Sequence, residues 1–210
     1  MVAALHVFDP GSDATPKRPR RRLPDFLRDD ELHALLETAR LYWLETTKQL
    51  RWRRARQRDY LMVMTAYHCG LRVFELCDVR VEGVDLKSRI LFVRKGKNSK
   101  DRTVPIPVKL AELLKQWISD RTAGVLFTDP RGGHVDLAHF RERLRFLAKR
   151  AGIARRTSPH TLRHTFATHL LQRGATVYEV QRLLGHSSLS ATVIYLHLIP
   201  GRLAEVVELL

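Results

Sequence analysis

The chain has little of several features that define other classes of protein. Its 210 residues include only two cysteines, Cys69 and Cys77. Two are too few for a disulfide framework or a four-cysteine zinc site, so both are predicted to be reduced thiols in or near the core. No apolar run reaches the roughly 18 residues of a membrane-spanning helix. These absences favour a protein of the cell interior over a secreted or membrane-embedded one.

Negative charge is also scarce. Asp and Glu number 22 against 37 Lys and Arg, which gives a formal net charge of +15. Such an excess predicts a polyanionic partner, because basic side chains neutralise phosphates and release their counterions. A membrane surface is the rival polyanion, and the missing membrane segment favours nucleic acid over it. We therefore expect a nucleic acid as a partner, and no membrane association.

Hydrophobic spacing and boundary residues predict a mainly helical domain with one small antiparallel β-sheet, which is the α+β class. Apolar residues at helical spacing follow a candidate cap at Asp29 or Asp30. Further helices are predicted at 60–69, 110–118, 140–148, 158–174 and 176–185, and most of them end at a glycine: Gly70, Gly152, Gly174 and Gly185. Two strands, at 90–94 and 102–106, are joined by a turn at 96–101, and 125–127 is the candidate third strand.

Two basic clusters are candidate DNA contacts. The first lies in a proline-interrupted arm at residues 1–24, which is either a solvated tail or an arm that orders on DNA; its basic residues are Lys17, Arg18, Arg20, Arg21 and Arg22. The second contains Trp52 and lacks acidic residues, which favours a DNA-facing surface over a merely solvated one; its members are Arg51, Arg53, Arg54, Arg56 and Arg58.

A set of polar motifs in the middle and C-terminal half is suited to attack on a phosphodiester. The motifs are Gly70-Leu-Arg72-Val-Phe-Glu75-Leu, the basic turn from Lys95 to Arg102, His160-Thr-Leu-Arg163, Leu-Leu-Gly-His186, and Tyr195 nine residues later. Arginine binds phosphate oxygens through its planar fork. A tyrosine with a pKa near 10 is a poor nucleophile, so nearby cations are expected to favour its phenolate form.

A zinc site is the other chemistry that the histidines suggest. His160 and His164 have the i, i+4 spacing of a zinc pair, but Thr161 stands where a catalytic Glu is usual, no carboxylate ligand is evident, and Arg163 opposes a cation. We therefore predict no metal. His164 and His169 are interpreted as packing or hydrogen-bonding side chains.

These motifs, in this order and at this spacing, resemble the catalytic domain of the tyrosine recombinase (phage integrase) family, with Xer and integron integrases as the nearest members, over residues 25–200. The resemblance implies that Arg72 and Arg163 clamp the scissile phosphate, that Glu75 orients Arg72, and that Tyr195 is the nucleophile. It also implies that His160 accepts or relays the tyrosine proton and that His186 donates a hydrogen bond to the phosphate.

The family's catalytic lysine lies in the basic turn. Alignment of the turn's end assigns it to Lys97, as the general acid for the leaving oxygen, whereas counting from Arg72 points nearer to Lys95. Lys95 and Lys100 are otherwise expected to contact backbone phosphate.

The implied function is site-specific DNA recombination through a 3′-phosphotyrosyl intermediate, without metal, ATP or another cofactor. Family members act as tetramers on paired DNA sites, and a monomer in solution is compatible with this. A prokaryotic-type, nucleoid-associated cytoplasmic location is expected. A type IB topoisomerase and a non-catalytic DNA-binding protein remain as alternatives.

The ends of the chain raise two further questions. Most family members carry a helical core-binding domain before the catalytic domain, so this chain is either a one-domain member or part of a longer protein. Residues 201–210 are predicted to form an amphipathic helix that packs either on its own domain or in trans on a neighbouring protomer.

Overall fold

The computed structural model describes residues 24–45, 49–94, 101–129 and 131–198. These residues form a mainly helical domain with one small antiparallel sheet, which confirms the predicted fold class. The helices are α1 (Asp29–Leu44), α2 (Leu50–His68), α3 (Val73–Asp78), α4 (Val108–Ile118), α5 (Leu137–Arg150), α6 (Pro159–Gln172), α7 (Val177–Leu184) and α8 (Ser190–Val193). Within this described part, no helix has the length and apolar character that crossing a bilayer requires.

The sheet has three short strands, β1 (Val84–Asp85), β2 (Ile90–Val93) and β3 (Arg102–Pro105), in the order β1-β2-β3. β2 and β3 pair antiparallel as predicted, with Leu91 opposite Val104. The prediction of a third strand at 125–127 was wrong. Val125 makes only an isolated bridge to Arg80, and the apolar character of this run reflects the complete burial of Leu126 and Phe127 in the core.

Helix α2 is the central element of the core and packs against α1, α4, α5 and α6. Its second half, from Tyr60 to Ala66, is buried, whereas its first half carries the second basic cluster. The helix therefore begins about ten residues before the predicted start at Tyr60. Cys69 at its end and Cys77 in α3 are both buried free thiols, as predicted.

Most predicted helix boundaries are confirmed. Ser158 begins α6 by accepting a hydrogen bond from the Thr161 amide at 3.2 Å, and Thr176 does the same for Glu179 at the start of α7. The cap of α1 is the exception, because Arg28 rather than an aspartate occupies the cap position and its amide donates to Glu31 Oε2 at 2.9 Å. Asp29 and Asp30 lie inside the first turn instead, where their charge suits the helix dipole.

Gly70 joins α2 to the loop before α3 in a left-handed conformation, with φ of 58°. A β-carbon at this position would lie 2.5 Å from Phe166 Cδ1 of α6. Glycine is therefore required for two reasons: the φ angle is positive, and a β-carbon would clash where α6 packs closely. This approach brings the motif that begins at Gly70 next to the motif carried by α6.

Candidate active site

Arg163 of α6 connects three of the sequence motifs. Its side chain is buried, and it donates from Nη1 to the Gly70 carbonyl at 2.6 Å and from Nη2 to the Leu184 carbonyl at 2.8 Å. Burial, together with the charge of Arg72, lowers the pKa of Arg163 to about 10, so it remains a cation at neutral pH. The guanidinium thus lies between the loop that leads to Arg72 and the end of α7, just before His186.

Arg72 is hydrogen-bonded to Glu75, the residue that was expected to orient it. The Arg72 amide donates to Glu75 Oε2 at 2.8 Å, and its Nη1 donates to Oε1 at 3.1 Å. The Glu75 side chain is fully buried, while that of Arg72 is 28% exposed. The Arg72 guanidinium is therefore partly exposed, and its hydrogen bond to the buried Glu75 carboxylate fixes its orientation.

Arg102, at the start of β3, was missed as a site residue by the sequence reasoning. It forms a bidentate pair with Glu75, at 2.7 and 2.9 Å, and its Nε donates to the Leu183 carbonyl at 2.9 Å. Burial would raise the pKa of Glu75, but the bonds and charge of Arg102, together with the Arg72 amide and the charge of Arg163, hold the pKa below its ordinary value. Arg102 thereby connects the β2–β3 hairpin to Arg72 through Glu75, and connects it directly to the end of α7. Its position after the predicted catalytic turn was the only available sequence signal.

Two histidines contribute neutral rings to this region. His186 shares a 2.9 Å hydrogen bond between Nδ1 and Thr192 Oγ1. Burial and the nearby cations Arg163 and Arg72 lower its pKa to about 4. The His160 side chain is exposed at the surface, but the surrounding protein desolvates part of its ring, and this desolvation together with the charge of Arg163 lowers its pKa. A neutral imidazole can donate from one nitrogen while accepting at the other, which suits both predicted roles.

Tyr195, the predicted nucleophile, follows α8 and is only 2% exposed. Its hydroxyl lies 2.8 Å from Nδ1 of His164. Burial raises its pKa and outweighs the opposing effect of Arg163 and Arg72. The expectation that nearby cations favour the phenolate is therefore not met in this conformation. His164 is a hydrogen-bonding histidine as predicted, but its partner was not foreseen.

The other interpreted histidine, His169, is also confirmed as a hydrogen-bonding residue. It is buried, with Nε2 2.9 Å from the Leu27 carbonyl and Nδ1 3.2 Å from the Tyr67 hydroxyl. In the described ranges, no three His, Cys, Asp or Glu side chains converge as metal ligands.

The second basic cluster divides into exposed and structural members. Arg51, Arg53 and Arg54 are exposed. The DNA-binding role predicted for Arg58 is contradicted, because this side chain is 3% exposed and bonded to Asp59 and to the Thr128 carbonyl. The interpretation of the cluster had relied on its lack of acids, yet Asp59 is the next residue in the chain.

Arg56, the remaining member of that cluster, is half-buried. It forms an ion pair with Glu45 at 3.2 Å, and its guanidinium lies over the ring of Tyr42. Fifteen residues separate Arg53 from His68, so the exposed arginines lie about 22 Å from the end of α2 that meets Arg72. They belong to a surface distinct from the candidate active site.

A basic face on α5 was not singled out from the sequence. Arg141, Arg145 and Lys149 are exposed and spaced at four-residue intervals, which places them along one side of the helix. Arg141 is near enough to His160 for its charge to contribute to the lowered pKa of that histidine. The i, i+4 repeat of basic residues was the signal that would have revealed this face.

Several predicted residues lie outside the described part of the chain: Lys17, Arg18, Arg20, Arg21, Arg22, Lys95, Lys97, Lys100 and the segment 201–210. Their predicted roles stay predictions.

Comparison with known proteins identifies the family. The model of the Phage integrase family matches residues 25–202. A tyrosine recombinase of Pseudothermotoga lettingae is 43% identical over 183 residues, covering 86% of this chain and 58% of that protein. The tyrosine recombinase XerA of Pyrococcus furiosus is 37% identical over 198 residues, covering 92% of this chain and 64% of that protein. This chain thus spans less than two thirds of the length of these relatives.

Solved structures agree with this assignment. The crystal structure of a XerA recombinase has a TM-score of 0.73 at 33% identity, covering 88% of this chain and 64% of that one. The XerH site-specific recombinase bound to palindromic difH substrate, in a post-cleavage complex, has a TM-score of 0.75 at 28% identity, covering 89% of this chain and 53% of that one. The chain described here belongs to the phage integrase family.

Proposed function

We propose that this chain is the catalytic part of a site-specific DNA recombinase. The observation that supports this most directly is the position of Arg163. Its bonds to the Gly70 and Leu184 carbonyls bring the Arg72 loop and the residues before His186 to α6, and His164 of the same helix contacts Tyr195. Motifs that are far apart in the sequence thus form one cationic site beside a tyrosine. Relatives at 43% and 37% identity are tyrosine recombinases.

In the proposed reaction, Arg72 and Arg163 bind the non-bridging oxygens of a phosphodiester, and the extra negative charge of the transition state is stabilised there. Tyr195 gives its proton to His160, and its Oη forms a bond to phosphorus while the bond to the 5′ oxygen breaks. The products are a 3′-phosphotyrosyl link and a 5′-hydroxyl. A second 5′-hydroxyl then attacks the link and restores the tyrosine, so the number of P–O bonds is conserved and no ATP is consumed.

We propose Lys97 as the acid that protonates the leaving 5′ oxygen. A substrate with sulfur at that bridging position needs no acid, so it should restore cleavage to Lys97→Ala but give little benefit to Arg72→Ala. Rescue of Lys95→Ala in place of Lys97→Ala would assign the role to Lys95.

The proposed function is tested by covalent capture. The protein is incubated with a pool of nicked duplexes randomised around the nick, and DNA that remains attached in SDS is sequenced. We expect Tyr195→Phe to abolish the adduct because the attacking oxygen is lost. Tyr178→Phe, at an exposed tyrosine of α7, is the matched control and should retain it. No adduct with the unaltered protein, or an adduct that persists in Tyr195→Phe, would contradict the proposal.

The mode of DNA binding is part of the proposal. XerH has been solved with its difH substrate, and double-stranded DNA is the proposed substrate here, at the nucleoid. The exposed face of α5 is suited to contact phosphates next to the scissile one, because Arg141 neighbours His160. Arg51, Arg53 and Arg54, with the arm at residues 17–22, are proposed to contact DNA further from the site.

Assembly on paired sites is the remaining part. We propose that residues 201–210 dock on a neighbouring protomer of a tetramer. Deletion of residues 202–210 should then leave binding to a single site unchanged and abolish cooperative filling of paired sites. Cooperative binding by the shortened chain would assign the segment to its own domain. Relaxation of supercoiled DNA without strand exchange would favour the topoisomerase alternative.

A further inference from the structure

Tyr195 lies in a position that a duplex phosphate cannot reach. The residue is 2% exposed, and its ring belongs to a small apolar cluster between α6 and α7 that includes Phe166, Val180 and Leu184. The phosphates of a duplex lie on its outer surface and contact groups on the protein surface. The attack in the proposed function therefore requires Tyr195 to leave this cluster.

The hydroxyl of Tyr195 is held in this position by one polar side chain. His164 Nδ1 lies 2.8 Å from Tyr195 Oη. Burial, together with the neighbouring His160 and Arg163, lowers the pKa of His164 to about 4, so its ring is neutral at neutral pH. The charge of Asp25 opposes this shift but does not reverse it. In the neutral tautomer that carries its proton on Nε2, Nδ1 accepts the tyrosine O–H, which keeps the proton on the nucleophile.

The arginines beside the tyrosine are engaged elsewhere in this conformation. Both terminal nitrogens of Arg163 donate to main-chain carbonyls, and Arg72 donates to Glu75. In the described part of the chain, the hydrogen bond of the tyrosine hydroxyl is therefore the one with His164, not one with an arginine.

We propose that His164 is a positioning residue that stores Tyr195 in a buried, protonated state, and that Tyr195 must give up this hydrogen bond before it can attack. The inference rests on the proposed function for the identity of the nucleophile. A net intramolecular hydrogen bond shifts an equilibrium by about five-fold. Loss of the bond should therefore raise the fraction of released tyrosine, and with it the cleavage rate, by about the same factor.

The stored state is tested first without DNA. A double-mutant cycle with His164→Leu and Tyr195→Phe measures whether the two side chains stabilise each other. We expect a coupling of about five-fold in the unfolding equilibrium constant, since either change alone removes the same bond. Strictly additive effects would overturn the proposal.

The kinetic test uses the nicked duplex recovered by covalent capture. His164→Leu removes the acceptor and should form the adduct about five-fold faster than the unaltered protein, at unchanged DNA affinity. His164→Asn keeps an amide near the position of Nδ1 and should restore the slow rate. If the leucine variant does not fold, His164→Phe, which keeps an aromatic ring and has no acceptor, replaces it. Slower or unchanged cleavage by the acceptor-deficient variant would overturn storage, and slower cleavage would indicate that His164 is the base.

The two proposals fail in different ways. If the unaltered protein forms no adduct, the proposed function is wrong, whereas the unfolding cycle still reports on the His164–Tyr195 bond. If the adduct forms but His164→Leu does not accelerate it, the recombinase assignment stands and the storage role is wrong.

Discussion

Replacement of Arg102 by methionine should destabilise the fold and disorder the proposed phosphate clamp of Arg72 and Arg163 together. The change keeps much of the side-chain volume and removes the two bonds to Glu75 and the bond to the Leu183 carbonyl. Glu75 is fully buried and Arg102 is 8% exposed. The variant therefore leaves a buried carboxylate whose remaining side-chain partner is Arg72.

The expected magnitude follows from this burial. Removal of one partner of a buried ion pair costs about 3–5 kcal/mol, because the other charge stays buried without compensation. The two bonds from Arg72 favour the lower end, about 3 kcal/mol. For a chain of this size each kcal/mol shifts the Tm by about 2–4 °C, so we expect a fall of roughly 6–12 °C.

Thermal unfolding followed by circular dichroism measures this, with Arg80→Met as the matched control. Arg80 also pairs with a glutamate, Glu82, but at 38% and 35% side-chain exposure. Exposed pairs contribute about 0–1 kcal/mol, so the control should lose less than about 4 °C. A loss in Arg102→Met as small as in the control would refute the assignment of Arg102 as the buried support of Glu75.

The pH dependence gives a second check. The lowered pKa of Glu75 contributes stability that is present above the ordinary value of 4.5 and is lost as the pH falls through the lowered one. Without Arg102 the pKa of Glu75 rises, so the variant takes up this proton at higher pH than the parent. The difference in Tm should be full at neutral pH and shrink as the pH falls through the raised pKa of Glu75 in the variant. A difference in Tm that stays constant with pH would show that Arg102 does not lower the pKa of Glu75.

Three more outcomes are expected. Gly70→Ala should lower the Tm more than Gly152→Ala, since both have positive φ but only at Gly70 does the new β-carbon meet Phe166; equal losses would show that the helices separate freely. Arg53→Gln should reduce the slope of log K for DNA against log salt by about 0.9, and an unchanged slope would mean that this surface is only solvated. Arg58→Gln should lower the Tm in unfolding experiments, because the buried Asp59 loses the Arg58 guanidinium as a hydrogen-bond partner. If only the salt dependence of DNA binding changed, Arg58 would instead be a DNA contact.

Local sequence signals predicted much of the fold because they act over a few residues. Ser158 caps α6 by accepting a hydrogen bond from the amide three residues later, and Gly70 ends α2 through its own positive φ angle. The convergence of Arg72, Arg163 and Tyr195 was expected from the family resemblance, not from local pattern. Such signals could not decide whether residues 125–127 form a third strand. A short apolar run has the same composition whether it pairs in a sheet or fills the core.

Side-chain partners distant in the sequence were the main source of error. Glu75 and Arg102 are 27 residues apart, and His164 and Tyr195 are 31 apart, so no periodicity connects them. The burial of Arg58 is a different case. Its partner Asp59 is adjacent in the chain, and a basic run that ends in an acid at the start of a buried helical segment was a readable sign of an internal ion pair.

The two main-chain bonds of Arg163 have a consequence for how family members are judged active or inactive. The Gly70 and Leu184 carbonyls lie at the ends of α2 and α7, where helix carbonyls lack intrahelical donors. A descendant that had lost catalysis would still need Arg163 to satisfy them, so selection for folding alone would preserve it. Retention of this arginine is therefore weak evidence of activity, whereas His160, exposed and without such structural bonds in the described part of the chain, would be free to drift. Degenerate relatives should lose the histidine first.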